Sequence, residues 1–385
     1  MKIKQLDIAG FRSLKKVSWQ PGDLNVVIGQ NGTGKSNLLR ALKLFSASVA
    51  GRLAENMRNS GGMGAVLWDG IAPYLCLDLK LAQPDVSYEL KLARLGSTSS
   101  YVIEYERLFG VTDTAQFVSA LADQNGRANG QSPNKETQLS FDLRGLARLL
   151  EFPSIEKSKN KISAEDLELV RLNDLAIYHD LNVGEGSAIR QAAVARFDKR
   201  VEADGQNLVS VLHTLYTTDR EFERNIDAAM RAAFGADYER LIFTPDAGDQ
   251  RIQMKVRWRS LQRGQSMADL SDGTLRYLLL ATILTAPDPP MLIAIDEPET
   301  GLHPSMLPII AAYAIEASER TQIIFTTHSP QFLSAFGKTR PTTTVASWEN
   351  GETVLQTLAD EELDYWLKEY SLGALFESGQ LEAMA

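Results

Sequence analysis

Short apolar runs separated by glycine, proline and polar residues recur along this chain, and their periods sort it into strands and helices. Residues 2–9 alternate and predict a strand; Gly10-Phe-Arg-Ser13 turns into a second segment, Leu14–Trp19. Pro21-Gly22 then precedes Leu24-Asn-Val-Val-Ile28, a run that fits a strand covered on both faces. Helical spacing follows at Asn37–Phe45 and fades near Ala50, and Gly61-Gly-Met-Gly64 predicts a flexible loop. Three more strand-like runs, 74–82, 86–95 and 100–107, are divided by Gln83-Pro-Asp85 and Gly96–Ser100, as in an antiparallel meander.

Residues 108–160 carry little pattern, with a mobile loop predicted at Gly126–Lys135. Ser163 and Asp166 have the spacing of a capping box at the head of a helix with apolar positions 167, 169, 170 and 172. Further helical patterns occupy roughly 187–201, 205–217 and 219–234. Strands return at 238–244 and Arg251–Arg259, around a turn at Asp246–Asp249. A helix after Ser271, a buried strand Met291–Asp296, a helix from Ser305, a strand Gln322–Thr327 and a helix after Pro330 follow. A closing pair, 342–348 and 353–357, leads into an acidic helix. Buried strands alternating with helices on both sides of the middle region predict an α/β fold interrupted by an insertion. The expected division is 1–107, first half with the meander; 108–237, a mainly helical insertion; and 238–385, second half with an acidic tail. There is no internal repeat, and no heptad run that would make a long coiled coil.

Composition narrows the class. With 44% hydrophobic and 23% charged residues in 385, the chain reads as an ordinary globular protein of two or three structural units. No apolar run approaches the roughly 20 residues of a membrane span, and charges at Lys2, Lys4 and Asp7 stand where a signal peptide would be apolar. The single cysteine, Cys76, excludes an internal disulfide, so a reducing cytoplasm is expected. Net charge is −9, concentrated in the tail, where seven carboxylates between Asp360 and Ala385 face only Lys368. The nearly neutral remainder leaves room for a local basic face.

Chemistry concentrates first at Gly29-Gln-Asn-Gly-Thr-Gly-Lys35-Ser36, a G-x-x-x-x-G-K-S spacing set between a buried strand and a helix. Glycines let backbone N–H groups wrap an anion, and the helix N-terminus adds its positive dipole end. Lys35 is placed to reach the outer phosphates of a nucleoside triphosphate and Ser36 to bind Mg²⁺. A second cluster ends the strand Met291–Asp296, where Asp296 suits a further Mg²⁺ anchor and Glu297 an orienter or base for attacking water. Ser271 can cap the following helix, and Gly273 permits close backbone approach, which makes a second anion site. Finally, Arg251, Lys255, Arg257 and Arg259 fall on one face of an alternating strand, with Ile252, Met254, Val256 and Trp258 on the other. That face is a candidate contact for a phosphate backbone, or a charged, self-protecting sheet edge. Arg190, Arg196, Lys199 and Arg200 form a second cluster, expected on a solvent-facing helix.

Gly29–Ser36, Leu270-Ser-Asp-Gly-Thr274, Asp296-Glu-Pro-Glu-Thr-Gly-Leu-His-Pro304 and Thr326-Thr-His-Ser329 resemble, in that order, the motifs of ABC-type ATPase heads of the P-loop NTPase fold. Gly10-Phe-Arg-Ser13 and the Asp-Glu-Pro-Glu…Leu-His-Pro variant are similar to the RecF/SMC/OLD branch. The resemblance covers roughly 1–45 and 265–335; more weakly, the meander, Asp204–Leu208 and the tail resemble small bacterial ATPases of this branch. It implies ATP and Mg²⁺ as cofactors, with Gly29, Asn31, Gly32, Gly34, Lys35, Ser36 and Asn37 around the nucleotide and Arg12 touching its phosphates. It implies Ser36 and Asp296 on Mg²⁺, Glu297 as catalytic base, His328 at the γ-phosphate, and Ser271 with Gly273 as a signature gripping the γ-phosphate of the opposite subunit. One P-loop and one signature per chain are halves of two composite sites, so a homodimer or higher oligomer is expected.

Two departures stand out. Asp272 occupies a position where many such heads have glycine, putting a carboxylate close to the γ-phosphate. The glutamine that would link Mg²⁺ to the inserted lobe is not found in Trp68-Asp-Gly-Ile71, leaving Gln83 as candidate. The expected function is an ATPase that dimerises around ATP and engages DNA or a partner effector, in repair, chromosome maintenance or phage defence. OLD-type nucleases carry a Toprim domain, but only 57 residues follow His328, so any nuclease is expected as a separately encoded protein. The alternatives are a transporter energy subunit, against which Phe11-Arg-Ser13 and Leu302-His-Pro304 stand, and a slowly hydrolysing nucleotide-gated scaffold.

Overall fold

Three sheets carry the described residues, which in this computed structural model are 2–82, 85–96, 100–111, 116–122, 172–245 and 251–385. The elements, in order, begin with β1 (Ile3–Phe11), β2 (Leu14–Trp19), β3 (Leu24–Ile28), α1 (Lys35–Val49), β4 (Tyr74–Leu81), β5 (Asp85–Arg94), β6 (Tyr101–Val111) and β7 (Gln116–Ala122). There follow β8 (Leu175–Tyr178), β9 (Ala193–Val194), α2 (Leu208–Thr218), α3 (Arg220–Phe234), β10 (Tyr238–Pro245), β11 (Arg251–Trp258), β12 (Gln265–Ser266) and α4 (Asp272–Thr285). The chain closes with β13 (Leu292–Asp296), α5 (Leu307–Ser318), β14 (Gln322–Thr327), β15 (Thr342–Glu349) and β16 (Glu352–Thr357), then short helices in the acidic tail.

The central sheet runs β16-β15-β3-β14-β13-β8, parallel from β15 to β8 and closed by antiparallel β16. Its inner strands β3 and β13 read as nearly continuous apolar runs because both faces are covered. In β3, Leu24, Val26 and Ile28 enter one core and Val27 the other; in β13, Ile293 and Ile295 oppose Leu292 and Ala294 in the same way. On the second face α1 lies against the meander β2-β1-β4-β5-β6-β7 and buries Leu38, Leu39, Leu42 and Phe45. Truncating any of these to alanine should cost about 2–5 kcal/mol. Gln322 joins the two sheets: its Oε1 accepts from the Ile3 N–H at 2.9 Å, and Nε2 donates to the carbonyls of Ile3 and Gly22.

Most elements fall where the pattern puts them, but several do not. Within the expected insertion 108–237, the meander continues to β7, and β8 is the edge strand of the central sheet. Residues 187–201 are not a helix; they hold one 3-10 turn, Ala188–Arg190, and the strand β9, which pairs with β11. Apolar residues 189, 193, 194 and 197 mimic a helical period, but only Ile189 is fully buried, and the backbone is tied to Gln206 and β11 instead. Residues 63–66 form a helical turn where a flexible loop was expected. Gln83, the loop Gly126–Lys135, the capping box at Ser163 and Asp166, and the turn Asp246–Asp249 lie outside the described residues.

Candidate functional site

The C-terminal ends of β3, β13, β14 and β8 converge on the loop Gly29–Gly34 and the start of α1. In open α/β sheets, ligands bind in the crevice at this end. Gly34 sits at φ 95° at the helix entry, where a Cβ would collide with Thr353 Oγ1 and Ser13 Oγ, so glycine is required. Thr353, from β16, donates to the Thr33 carbonyl at 2.7 Å and so supports the loop from outside. The tip, Gln30–Gly32, is exposed.

Lys35 is buried, and its Nζ donates to the carbonyls of Gly29 and Gln30 at 2.7 and 2.9 Å. Burial pushes its ammonium below the usual lysine range against the pull of Glu297, Asp296 and Glu299. Ser36 Oγ donates to Asp296 Oδ1 at 3.3 Å, and Thr326 Oγ1 donates to the same oxygen. Burial would raise the Asp296 carboxyl, yet hydrogen bonds from His179, Thr326 and Ser36 outweigh it and hold the group below the ordinary range. A hydroxyl and an ionised carboxylate side by side are hard oxygen donors of the sort Mg²⁺ takes. Among the described residues no cluster of three or more His, Cys, Asp or Glu would hold a metal alone. The donor set therefore fits a cation shared between Ser36, Asp296 and a bound phosphate.

Glu297 adopts φ 45°, a left-handed backbone unusual for a side chain of its size. Its conformation is held from both sides, its N–H donating to the Thr326 carbonyl at 3.0 Å and its carbonyl accepting from Arg276 Nη2 at 3.1 Å. The carboxylate Oε1 comes 3.0 Å from His328 Nδ1, so the expected base and the expected γ-phosphate residue form one unit. Beneath them Glu299 is nearly buried; it accepts from Thr327 Oγ1 at 2.5 Å and from the His328 N–H at 3.4 Å, and burial pushes its carboxyl up.

Other expected site residues are placed differently. Asn37 spends its amide on bracing, donating to Ser13 Oγ at 2.8 Å and accepting from Arg40 at 3.0 Å. Arg12 also has a positive φ, 49°; its guanidinium lies over Phe11, and its Nε is buried without a partner. Ser271 is exposed and caps α4 by accepting from the Thr274 N–H. Gly273 packs under the carbonyl of Gly301, only 2.8 Å from where a Cβ would stand. No described hydrogen bond joins Ser271 to Lys35. The basic face is present along β11 and the residue after it: Arg251, Lys255, Arg257 and Arg259 are exposed or half-buried, with Ile252, Met254, Val256 and Trp258 inside. Arg257 lies 3.7 Å from Glu239.

The cluster Arg190, Arg196, Lys199 and Arg200 is not a solvent-facing helix. Arg190 lies nearly buried against the signature turn, and Arg200 pairs with Asp174 and Asp288. Asp272 accordingly is not a lone carboxylate; it pairs with Arg190. The residues that pattern reading missed are His179, Arg40, Arg276 and Glu299. His179 had a usable signal, a polar residue directly after the apolar run Leu175–Tyr178, as Asp296 follows Leu292–Ile295.

A parallel sheet with a glycine-lined anion loop, paired hydroxyl and carboxylate, and a capped signature helix outside it define a P-loop ATPase head of the ABC type. A family model described as "AAA domain, putative AbiEii toxin, Type IV TA system" matches residues 122–334, and one described as "AAA ATPase domain" matches 1–93. The chain belongs to this AAA-domain family. It is 43% identical over 61 residues to the structural maintenance of chromosomes protein 3 of Caenorhabditis elegans, and 46% over 43 residues to the DNA replication and repair protein RecF of Shewanella piezotolerans. Those matches span 15% and 11% of this chain and only 5% and 12% of the relatives. A crystal structure of an Smc head bound to the C-winged helix domain of ScpA superposes with TM-score 0.59 at 15% identity, over 95% of this chain and 100% of that one. Likeness at that identity speaks for the fold.

Proposed function

We propose that this chain binds Mg·ATP through Gly29–Asn37, hydrolyses it with Glu297 and His328, and closes each site with Ser271 and Gly273 of a second copy. The observation that carries the reading is the placement of the two half-sites. Lys35, Ser36 and Asp296 are gathered at the C-terminal ends of the sheet's strands, while Ser271, capping α4, is exposed and makes its bonds within its own turn. An exposed helix N-terminus is suited to an anion brought by another molecule. Isologous pairing of two such chains closes both sites at once.

The chemistry Mg²⁺ supplies when bound is charge neutralisation on the phosphates. Of the protein groups, Lys35 would bind the outer phosphates, Glu297 would accept a proton from the attacking water, and His328 would fix the carboxylate that does so. Coupling to DNA or a separately encoded effector is the output we infer, in repair, maintenance or defence. It is supported by the RecF and Smc matches, by the toxin–antitoxin setting in the family description, and by the cations on the outer face of β11. The test is Glu297→Gln with saturating Mg·ATP, measured by light scattering: it should trap a dimer, and Lys35→Ala should bind no nucleotide. A Glu297→Gln protein that binds ATP yet stays monomeric would overturn the composite site.

A further inference from the structure

The contact between Arg190 and the signature turn has no counterpart in the motifs. Arg190 Nε donates to the Val183 carbonyl at 2.8 Å, and Nη1 donates to the carbonyls of Leu270 at 2.7 Å and Ala268 at 3.2 Å. Nη2 donates to Asp272 Oδ1. The arginine side chain is 9% exposed and its carboxylate partner 64% exposed. A nearly buried guanidinium thus spends its donors on the turn that leads into α4, and its last contact reaches an acid at the mouth of the helix. Its own position is set by neighbours: Ile189 is fully buried, and its N–H donates to Gln206 Oε1 at 3.1 Å.

Asp272 is the first residue of α4, between Ser271 and Gly273. A carboxylate there is favoured by the helix dipole but opposes any phosphate approaching the same N–H groups. A charge-assisted bond to a buried arginine lowers that opposition in two ways. It offsets the negative charge, and it holds the carboxylate towards the Met267–Leu270 turn. We propose that Arg190 is a positioning residue for the trans site: it neutralises Asp272 and holds it aside so that Ser271 and Gly273 can receive the triphosphate of a second copy. This deepens the composite-site reading and rests on it. The same stretch continues into β9, where Ala193 and Val194 pair with Ile252 and Arg251 of the basic strand, so Arg190 also ties the signature turn to that sheet.

The experiment is a double-mutant cycle in the Glu297→Gln background. Dimer dissociation constants are measured by analytical ultracentrifugation in Mg·ATP, and binding of a fluorescent ATP analogue to the monomer reports folding and the Lys35 site. Arg190→Ala should weaken dimerisation by about tenfold or more while leaving analogue binding within about twofold. Adding Asp272→Asn should restore most of that loss, although Asp272→Asn alone changes little. If Arg190→Ala dimerises as tightly as its parent, or if its loss persists fully after Asp272→Asn, the proposed charge compensation is wrong and Arg190 only supports the turn. Arg190→Lys gives a second reading: it keeps the charge without the fork, and association between that of the parent and Arg190→Ala supports compensation, whereas association no better than Arg190→Ala argues against it. Failure of the composite site itself is distinguishable, because Glu297→Gln alone would then remain monomeric.

Discussion

Nδ1 of His179, at the end of β8, lies 2.5 Å from Oδ2 of Asp296, at the end of β13. The other ring nitrogen is 2.9 Å from Arg40 Nη2. A guanidinium only donates, so this contact assigns Nε2 as acceptor and places the ring proton on Nδ1, the nitrogen beside the carboxylate. Arg40 in turn comes from α1, one turn after Ser36. Arg40 also donates to Asn37 Oδ1 at 3.0 Å, so one relay of side chains runs from the start of α1 through His179 to Asp296.

His179→Ala should consequently raise the Mg²⁺ needed for half-maximal hydrolysis by roughly 10- to 100-fold, the usual cost of losing a group that orients a metal ligand. Titrating Mn²⁺ into the nucleotide complex and following its electron paramagnetic resonance signal gives a readout apart from turnover. His179→Gln, which can still offer an N–H to Asp296, should recover part of the loss. Unchanged metal dependence in His179→Ala would reduce the residue to a strand-end contact.

Arg276 braces the carbonyl of Glu297, and its second nitrogen reaches the Leu181 carbonyl at 3.3 Å. Without it, the left-handed backbone at Glu297 loses one of its two restraints. Arg276→Ala is expected to lower kcat by about tenfold or more, ~1.4 kcal/mol of barrier, with a smaller change in ATP affinity. Steady-state kinetics separate the two, and a variant with normal kcat and raised KM would contradict the bracing role.

On β11, the cations offer a test of nucleic-acid binding. Arg257→Glu combined with Arg259→Glu should weaken DNA affinity and flatten its dependence on salt by about one unit of slope for each phosphate that is no longer neutralised. Fluorescence anisotropy at several salt concentrations measures both. Equal binding by the variant and the parent would return this strand to a charged sheet edge.

Asp78 stands across from Asp7 of β1 and Glu89 of β5, three carboxylates abreast on neighbouring strands. Burial, then Glu89 and Asp7, push its carboxyl up from 3.8 to about 6, with Lys80 pulling the other way. Because the folded form prefers the proton, the stability it contributes is intact below 3.8 and is lost as pH rises through about 6. Asp78→Asn should accordingly raise the urea midpoint at pH 7–8 and leave it unchanged near pH 4. A difference that stays constant between those pH values would sink this assignment.

Sequence by itself determined the elements whose physics is local. Glycine spacing before Lys35 announces a tight loop at a helix entry, mostly apolar runs at 24–28 and 292–296 announce strands covered on both faces, and Ser271 announces a helix cap. The alternating cations of β11 were legible for the same reason, since period two depends only on the strand. What only tertiary structure decided were pairings between residues far apart in sequence. His179 meets Asp296 because β8 and β13 are neighbours in the sheet; Arg190 meets Asp272 because Gln206 and β9 hold residues 188–194 out of a helix. Residues 187–201 misled the pattern because an apolar residue at every third or fourth place scores as helical whether or not a core lies beneath it. A charge pair worth noticing, like a backbone held at positive φ, belongs to no single stretch of chain; it exists only once folding has brought its two sides together.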